Sequence, residues 1–109
     1  MTSEQFIMQR LEQLEAVMRE HDLWQVDAPD EQAFASQQPF FLDTMQSLEW
    51  LQWVLIPRVQ MLIRAGQALP KNFAVAPYFE MALTPVQPGR TLLLLTLQQL
   101  DALLQDDPV

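Results

Sequence analysis

Hydrophobic and polar positions along the 109 residues sort into four stretches of helical period, and no run alternates with period two for long enough to make a strand. The first stretch runs from about Glu4 to Glu20. At about 100° per residue, Phe6, Ile7, Leu11, Leu14, Val17 and Met18 fall within an arc of about 140°, leaving Gln5, Gln9, Glu12, Glu15, Arg19 and Glu20 outside it. Ser3 is the expected N-cap, and Glu4 sits against the positive end of the helix dipole. The second stretch runs from near Ser47 to about Ala65, where Gly66 supplies a stop. Glu49, Gln52, Gln60 and Arg64 share one narrow polar stripe, so this helix is expected to be the most buried. Pro57 lies inside it, removes one backbone bond and crowds residue 53, which predicts a kink or break at 53–57. A short third helix, roughly Pro77 to Leu83, takes Pro77 at its first position. In the fourth, about Arg90 to Gln105, Leu93, Leu97, Leu100 and Leu104 form a bundle seam that Leu92 and Leu103 widen, while Leu94 and Leu95 leave it.

Between these stretches, residues 22–46 hold Pro29 and Pro39 and read as a long connection with one helical turn near Asp30–Ser36. A structureless loop of that length is uncommon unless it packs, and Phe34, Phe40, Phe41 and Leu42 predict a strap laid across the bundle. Leu69-Pro70 and Lys71-Asn72 form the next turn, Pro85, Pro88 and Gly89 break the chain again, and Asp106-Asp107-Pro108 is a frayed tail. The expected architecture is all-α: one domain over 1–109, a small four-helix bundle with a second helix kinked at Pro57, a short third helix, and a long strap between helices 1 and 2.

Composition narrows the chemistry. No Cys excludes disulfides, thiolate metal sites and cysteine nucleophiles, and a single His disfavours a catalytic zinc site. Two distant Gly cannot form a phosphate-cradling loop. No serine lies on a nucleophile elbow, and carboxylate pairs such as Glu12/Glu15 fall on polar faces. Catalytic, metal and cofactor-binding residues are therefore expected to be absent, and with them any cofactor. Fourteen acids against six bases give a net charge of −8, and residues 1–31 carry eight of those acids with two Arg. One Lys cannot supply the clustered cations that direct nucleic-acid binding needs, whereas a basic protein surface is a plausible counterpart. No run approaches a membrane span, and the polar N-terminus does not resemble a secretory signal, so the chain is expected in the cytoplasm.

Three features invite a functional reading. His21, at the C-terminal end of the first helix, reads as a partly buried structural imidazole. Arg58 would lie in the middle of the second helix's apolar face if the helical phase persisted through Pro57. A buried guanidinium needs a carboxylate, and Asp43 and Glu80 are the expected partners of an internal ion pair, unless the kink returns Arg58 to solvent. Lastly, eight of ten aromatics (Phe34, Phe40, Phe41, Trp50, Trp53, Phe73, Tyr78, Phe79) lie between residues 34 and 79, the segment of balanced charge. They either complete the core or leave rings at the surface as binding anchors.

The runs Gln38-Pro39-Phe40-Phe41-Leu42-Asp43-Thr44-Met45, Leu48-Glu49-Trp50-Leu51-Gln52-Trp53-Val54-Leu55-Ile56-Pro57-Arg58 and Phe73-Ala74-Val75-Ala76-Pro77-Tyr78-Phe79-Glu80-Met81-Ala82-Leu83 closely resemble the YqcC-like family of small bacterial proteins, a domain of unknown function. The likeness extends to Leu100-Asp101-Ala102-Leu103. The resemblance implies a helical bundle in the cytoplasm and brings no catalytic residues. It also implies a gene neighbourhood with a tRNA pseudouridine synthase, whose name some members carry.

The expected function is a non-catalytic interaction module. Its surface would comprise Phe40, Phe41, Trp50, Trp53, Arg58, Tyr78 and Phe79, and its protein partner would be a basic RNA-modifying enzyme such as a pseudouridine synthase. The alternative is a small anionic-ligand pocket or minor enzyme centred on Arg58, and self-association to a homodimer through the same rings is a third expectation.

Overall fold

A computed structural model describes residues 2–69 and 74–104. Four helical rods and two 3-10 turns make up its regular structure, with no strand among the described residues. The first rod, α1, spans Ser3–Glu20. Its cap is Thr2 rather than Ser3: the Thr2 hydroxyl accepts from the Gln5 backbone N–H, and the Gln5 side chain returns the bond to Thr2 N–H. The second rod, α2, joins α-helical Ser47–Trp50, π-helical Leu51–Leu55 and α-helical Ile56–Arg64. Two short rods follow in sequence: α3, Ala76–Ala82, and α4, Arg90–Leu104. The expected turn at residues 69–72, Phe73 and the stretch from Gln105 onward lie wholly or partly outside the described residues.

The kink expected at Pro57 takes the form of a π turn. Proline has no N–H for a bond back to residue 53, and its ring presses on that carbonyl. The preceding turn widens instead, so that the Ile56 N–H reaches the Leu51 carbonyl five residues back. One extra residue in the turn rotates everything after it by about 100°.

The apolar seams bury as the periodicity requires. Ile7, Leu11, Leu14, Val17 and Met18 of α1 meet Leu93, Leu97, Leu100 and Leu104 of α4, with Leu51, Leu55, Ile56 and Val59 of α2 closing the core. Phe6 stays exposed. Arg10 Nη1 donates to Gln99 Oε1 at 2.6 Å, while His21 lies against Gly89, so α1 and α4 run antiparallel. On α4 the expectation needs one correction: Leu94 is buried and Leu92 is exposed. The helix is covered by α1 on one side and α3 on the other, so its apolar arc extends toward α3 as well.

Gly89 is required twice over. Its φ of +76° is left-handed, and a Cβ built there would meet His21 Cδ2 at 2.7 Å. Gly89→Ala is expected to cost about 2 kcal/mol in chemical denaturation, from backbone strain plus the ring contact. His21→Ala on that background should restore only the steric part.

Residues 22–46 form the predicted strap, including a 3-10 turn at Glu31–Ala35 within the expected segment and a second at Pro39–Phe41. The strap is stitched to itself: Ser36 Oγ donates to Asp43 Oδ1, and Thr44 Oγ1 donates to the Ala33 carbonyl at 2.7 Å. Among the described residues no helix is long and apolar enough to cross a membrane.

Candidate functional site

The aromatic residues of the middle third divide into an inner and an outer group. Phe79 is 0% exposed and Trp50 is also buried. Phe40 reaches in from the strap, stacks on Tyr78 with centroids 4.1 Å apart, and meets the edge of Trp50 at 5.0 Å. Tyr78 in turn meets Phe79 edge-on at 5.1 Å. Offset and edge-on pairs of this kind add stabilisation beyond their buried area. Phe40 and Phe41 hold left-handed φ values of 56° and 51°, which bulky side chains adopt only when their surroundings enforce them. Here the Phe40 stack does so, and burial pushes the Tyr78 hydroxyl above its ordinary pKa.

Of the residues expected at the interaction surface, Trp50 and Phe79 are therefore core, and Phe40 and Tyr78 are half-buried parts of a sealing stack. Phe41 and Trp53 are half-buried, and Arg58 is exposed. The internal ion pair does not form. Arg58 faces solvent because the π turn rotates it off the apolar face, Asp43 is held by Ser36, and Glu80 Oε1 accepts from Gln98 Nε2 at 3.3 Å. The ion pair present among the described residues is Arg19–Glu15 on α1.

Half-buried Trp53 and exposed Pro57 form a ridge with a cleft on either side. One cleft, of about 300 Å³, is lined by Phe34, Phe41, Trp53, Val54, Pro57, Arg58 and Met61. It is apolar apart from Arg58, and Met61 on its rim is 62% exposed. The other, of about 470 Å³, lies between α1 and α2 and is lined by Glu15, Arg19, Trp24, Gln25, Val26, Gln52, Trp53, Ile56, Pro57 and Gln60. Its base is rigid. Gln52, expected in the exposed polar stripe, is 3% exposed, because its carboxamide serves as a backbone partner for the strap. The Gln25 N–H donates to Gln52 Oε1 at 2.7 Å, and Gln52 Nε2 donates to the Gln25 carbonyl at 2.8 Å. Trp53 Nε1 donates to Gln25 Oε1 at 3.3 Å.

A second polar device escaped the sequence reading. Asp101 of α4 is 7% exposed, and its carboxylate accepts from Val75 N–H at 2.9 Å and Ala76 N–H at 2.8 Å. It caps the N-terminus of α3 from a neighbouring helix. At the other end of α3, Arg90 Nη2 donates to the Glu80 carbonyl at 3.1 Å and Arg90 Nε to that of Leu83 at 3.4 Å. A helix of seven residues is too short to persist alone, and α4 holds it with an acid at its positive end and a base at its negative end. The available signal was spacing: Arg90, Leu94 and Asp101 share the α4 face that turns toward α3.

None of these arrangements pairs a nucleophile with a base, and among the described residues no three His, Asp or Glu side chains cluster as metal ligands. The groups that line the two clefts are aromatic rings, an exposed thioether and charged side chains.

The family model described as DUF446, tRNA pseudouridine synthase C, matches residues 6–103. An uncharacterised protein YqcC from Escherichia coli (strain K12) is 53% identical over 107 residues, 98% of each chain. A Haemophilus influenzae protein described only as uncharacterised is 51% identical over 75 residues, 69% of this chain and 71% of its own. A chain from Pectobacterium carotovorum named tRNA pseudouridine synthase C is 45% identical over 73 residues, 67% of this chain and 19% of its own. The solution NMR structure of the E. coli protein YqcC superimposes with a TM-score of 0.87 at 52% identity, covering 100% of this chain and 93% of that one.

Proposed function

Because the chain belongs to the DUF446 family of YqcC-like proteins, we propose that it is a non-catalytic interaction module of the cytoplasm that serves as an accessory to a tRNA-modifying enzyme, a pseudouridine synthase. One observation carries the reading: the ridge of Trp53 and Pro57 and its flanking clefts leave aromatic and apolar side chains at the surface. The Pectobacterium chain supports the choice of partner class. Its matched 73 residues are 19% of a protein named for that activity, so a YqcC-like segment and a much longer remainder share one polypeptide there. A segment joined to an enzyme in one protein and separate in another is suited to docking on that enzyme.

Purified tRNA pseudouridine synthase is expected to bind the chain in titration calorimetry. Trp53→Ala and Met61→Glu should each weaken binding at least tenfold, about 1.4 kcal/mol, while helical content stays unchanged. Met61 is exposed, so its substitution does not burden the fold. Absence of binding by the unaltered chain would overturn the reading. Arg58 beside the 300 Å³ cleft favours a second reading, an anionic-ligand pocket. That reading gains support if Arg58→Ala abolishes binding of a small phosphate ester.

A further inference from the structure

We infer that the cleft between α1 and α2 receives a basic segment of the partner protein, an arginine- or lysine-bearing stretch with an apolar side chain beside the cation. The inference rests on the interaction reading above and specifies the chemistry of its partner. The cleft combines an aromatic and aliphatic floor, Trp53, Ile56 and Pro57, with an α1 wall where Glu15 and Arg19 are paired, and the chain around it, residues 1–31, carries eight acids against two Arg. Glu15 lines that wall, and Glu12 lies one turn earlier on the same face of α1.

Charge complementarity selects the occupant. Residues 1–31 carry eight acids and two Arg, and both Arg are engaged within the fold. Arg10 donates to Gln99, and Arg19 pairs with Glu15 at 2.9 Å while its guanidinium lies 4.9 Å from the Trp24 centroid. Arg19 is thus the fold's own example of a cation held at this cleft by a carboxylate and an indole. Trp53 offers a second half-exposed indole across the cleft, and Glu12 a carboxylate with no cationic partner among the described residues. Nucleic acid and a second copy of this chain, itself at −8, are repelled by the excess acid of residues 1–31, whereas a basic segment is drawn to it.

The test uses a short synthetic Leu/Arg peptide and its Leu/Glu counterpart, with the indole N–H resonances of the three Trp residues as reporters. The Leu/Arg peptide is expected to shift the Trp24 and Trp53 signals and leave buried Trp50 unmoved. Glu12→Lys together with Glu15→Lys should weaken it about tenfold, and added salt should weaken it further. Glu12→Lys alone leaves the Arg19–Glu15 pair intact and should show a smaller loss in the same direction. Equal binding of the Leu/Glu peptide, or shifts that spare Trp53, would overturn the inference. So would a dimer in sedimentation that Trp53→Ala dissolves and the charge reversals leave alone. A synthase that binds the charge-reversed chain normally but loses Met61→Glu would overturn the inference while the proposed function stands. A Leu/Arg peptide that binds at the cleft when no synthase binds would support the inference and remove that enzyme as the partner.

Discussion

Phe79→Ala is expected to cost about 4 kcal/mol of stability in urea unfolding, the largest effect of any substitution considered. Phe79 has no exposed surface, and it sits where the three inner ring systems converge, against Tyr78 on one side and Trp50 at 6.3 Å on the other. Truncation removes the ring's transfer energy and leaves a void that rigid aromatic neighbours cannot fill by small shifts. A domain of this size has a total stability of about 5–15 kcal/mol, so the variant should stand near the edge of folding at physiological temperature. Phe79→Leu, which keeps most of the volume, should recover more than half of the loss. A cost below about 1.5 kcal/mol for the alanine variant would mean that the aromatic stack does not hold the core together.

Asp101→Ala is the next largest, at about 2–3 kcal/mol. The substitution leaves the N–H groups of Val75 and Ala76 without an acceptor at buried positions, and α3 loses the charge at its positive end. The pH dependence has a definite sign. Burial pushes the Asp101 carboxyl above the usual carboxylate range, and the two amide donors draw it back only part of the way. A carboxyl whose folded pKa lies above its unfolded value binds protons more readily in the fold. Its contribution is then complete below the unfolded value and declines as pH rises through the folded one. The stability margin of the native chain over the non-titrating Asp101→Asn variant should therefore be larger in mild acid than at neutral pH. A margin that grows with pH would show that the amide bonds outweigh burial.

The two substitutions bear on different levels of information. Phe79 stands in an aromatic run that pattern alone leaves open between core and surface, and the fold places it in the core. Asp101 could have been found from its spacing to Arg90 and Leu94, but only once it was known that α4 has a second covered face. Gln52 gave no signal, because a glutamine in a polar stripe acquires its buried role only when the strap passes over it and needs a backbone partner at Gln25. Arg58 illustrates the opposite case. Its expected burial followed correctly from an uninterrupted helix, and a single π turn before Pro57 moved it to solvent.

The candidate site was legible in outline and misplaced in detail. Phe41, Trp53 and Arg58 line one surface cleft, while Trp50 and Phe79 belong to the interior and Phe40 and Tyr78 seal it. Aromatic density announces that rings will pack, but it does not say which ring ends on the wet side. That choice depends on the path of a strap with no periodicity of its own.

The order of residues by itself determined the four helices, the buried seams of α1 and α4, the disruption at Pro57, the stops at the two glycines and the negative charge of the first third. All of these arise from local geometry: the 3.6-residue period, the missing proline N–H, the tolerance of glycine for positive φ, and the count of ionisable groups. Only the tertiary structure decided that Asp101 and Arg90 hold α3 at both ends, that Gln52 anchors the strap, and that Arg58 faces solvent. Those outcomes depend on which distant segment arrives opposite a given side chain, and on the direction in which one widened turn rotates the rest of its helix.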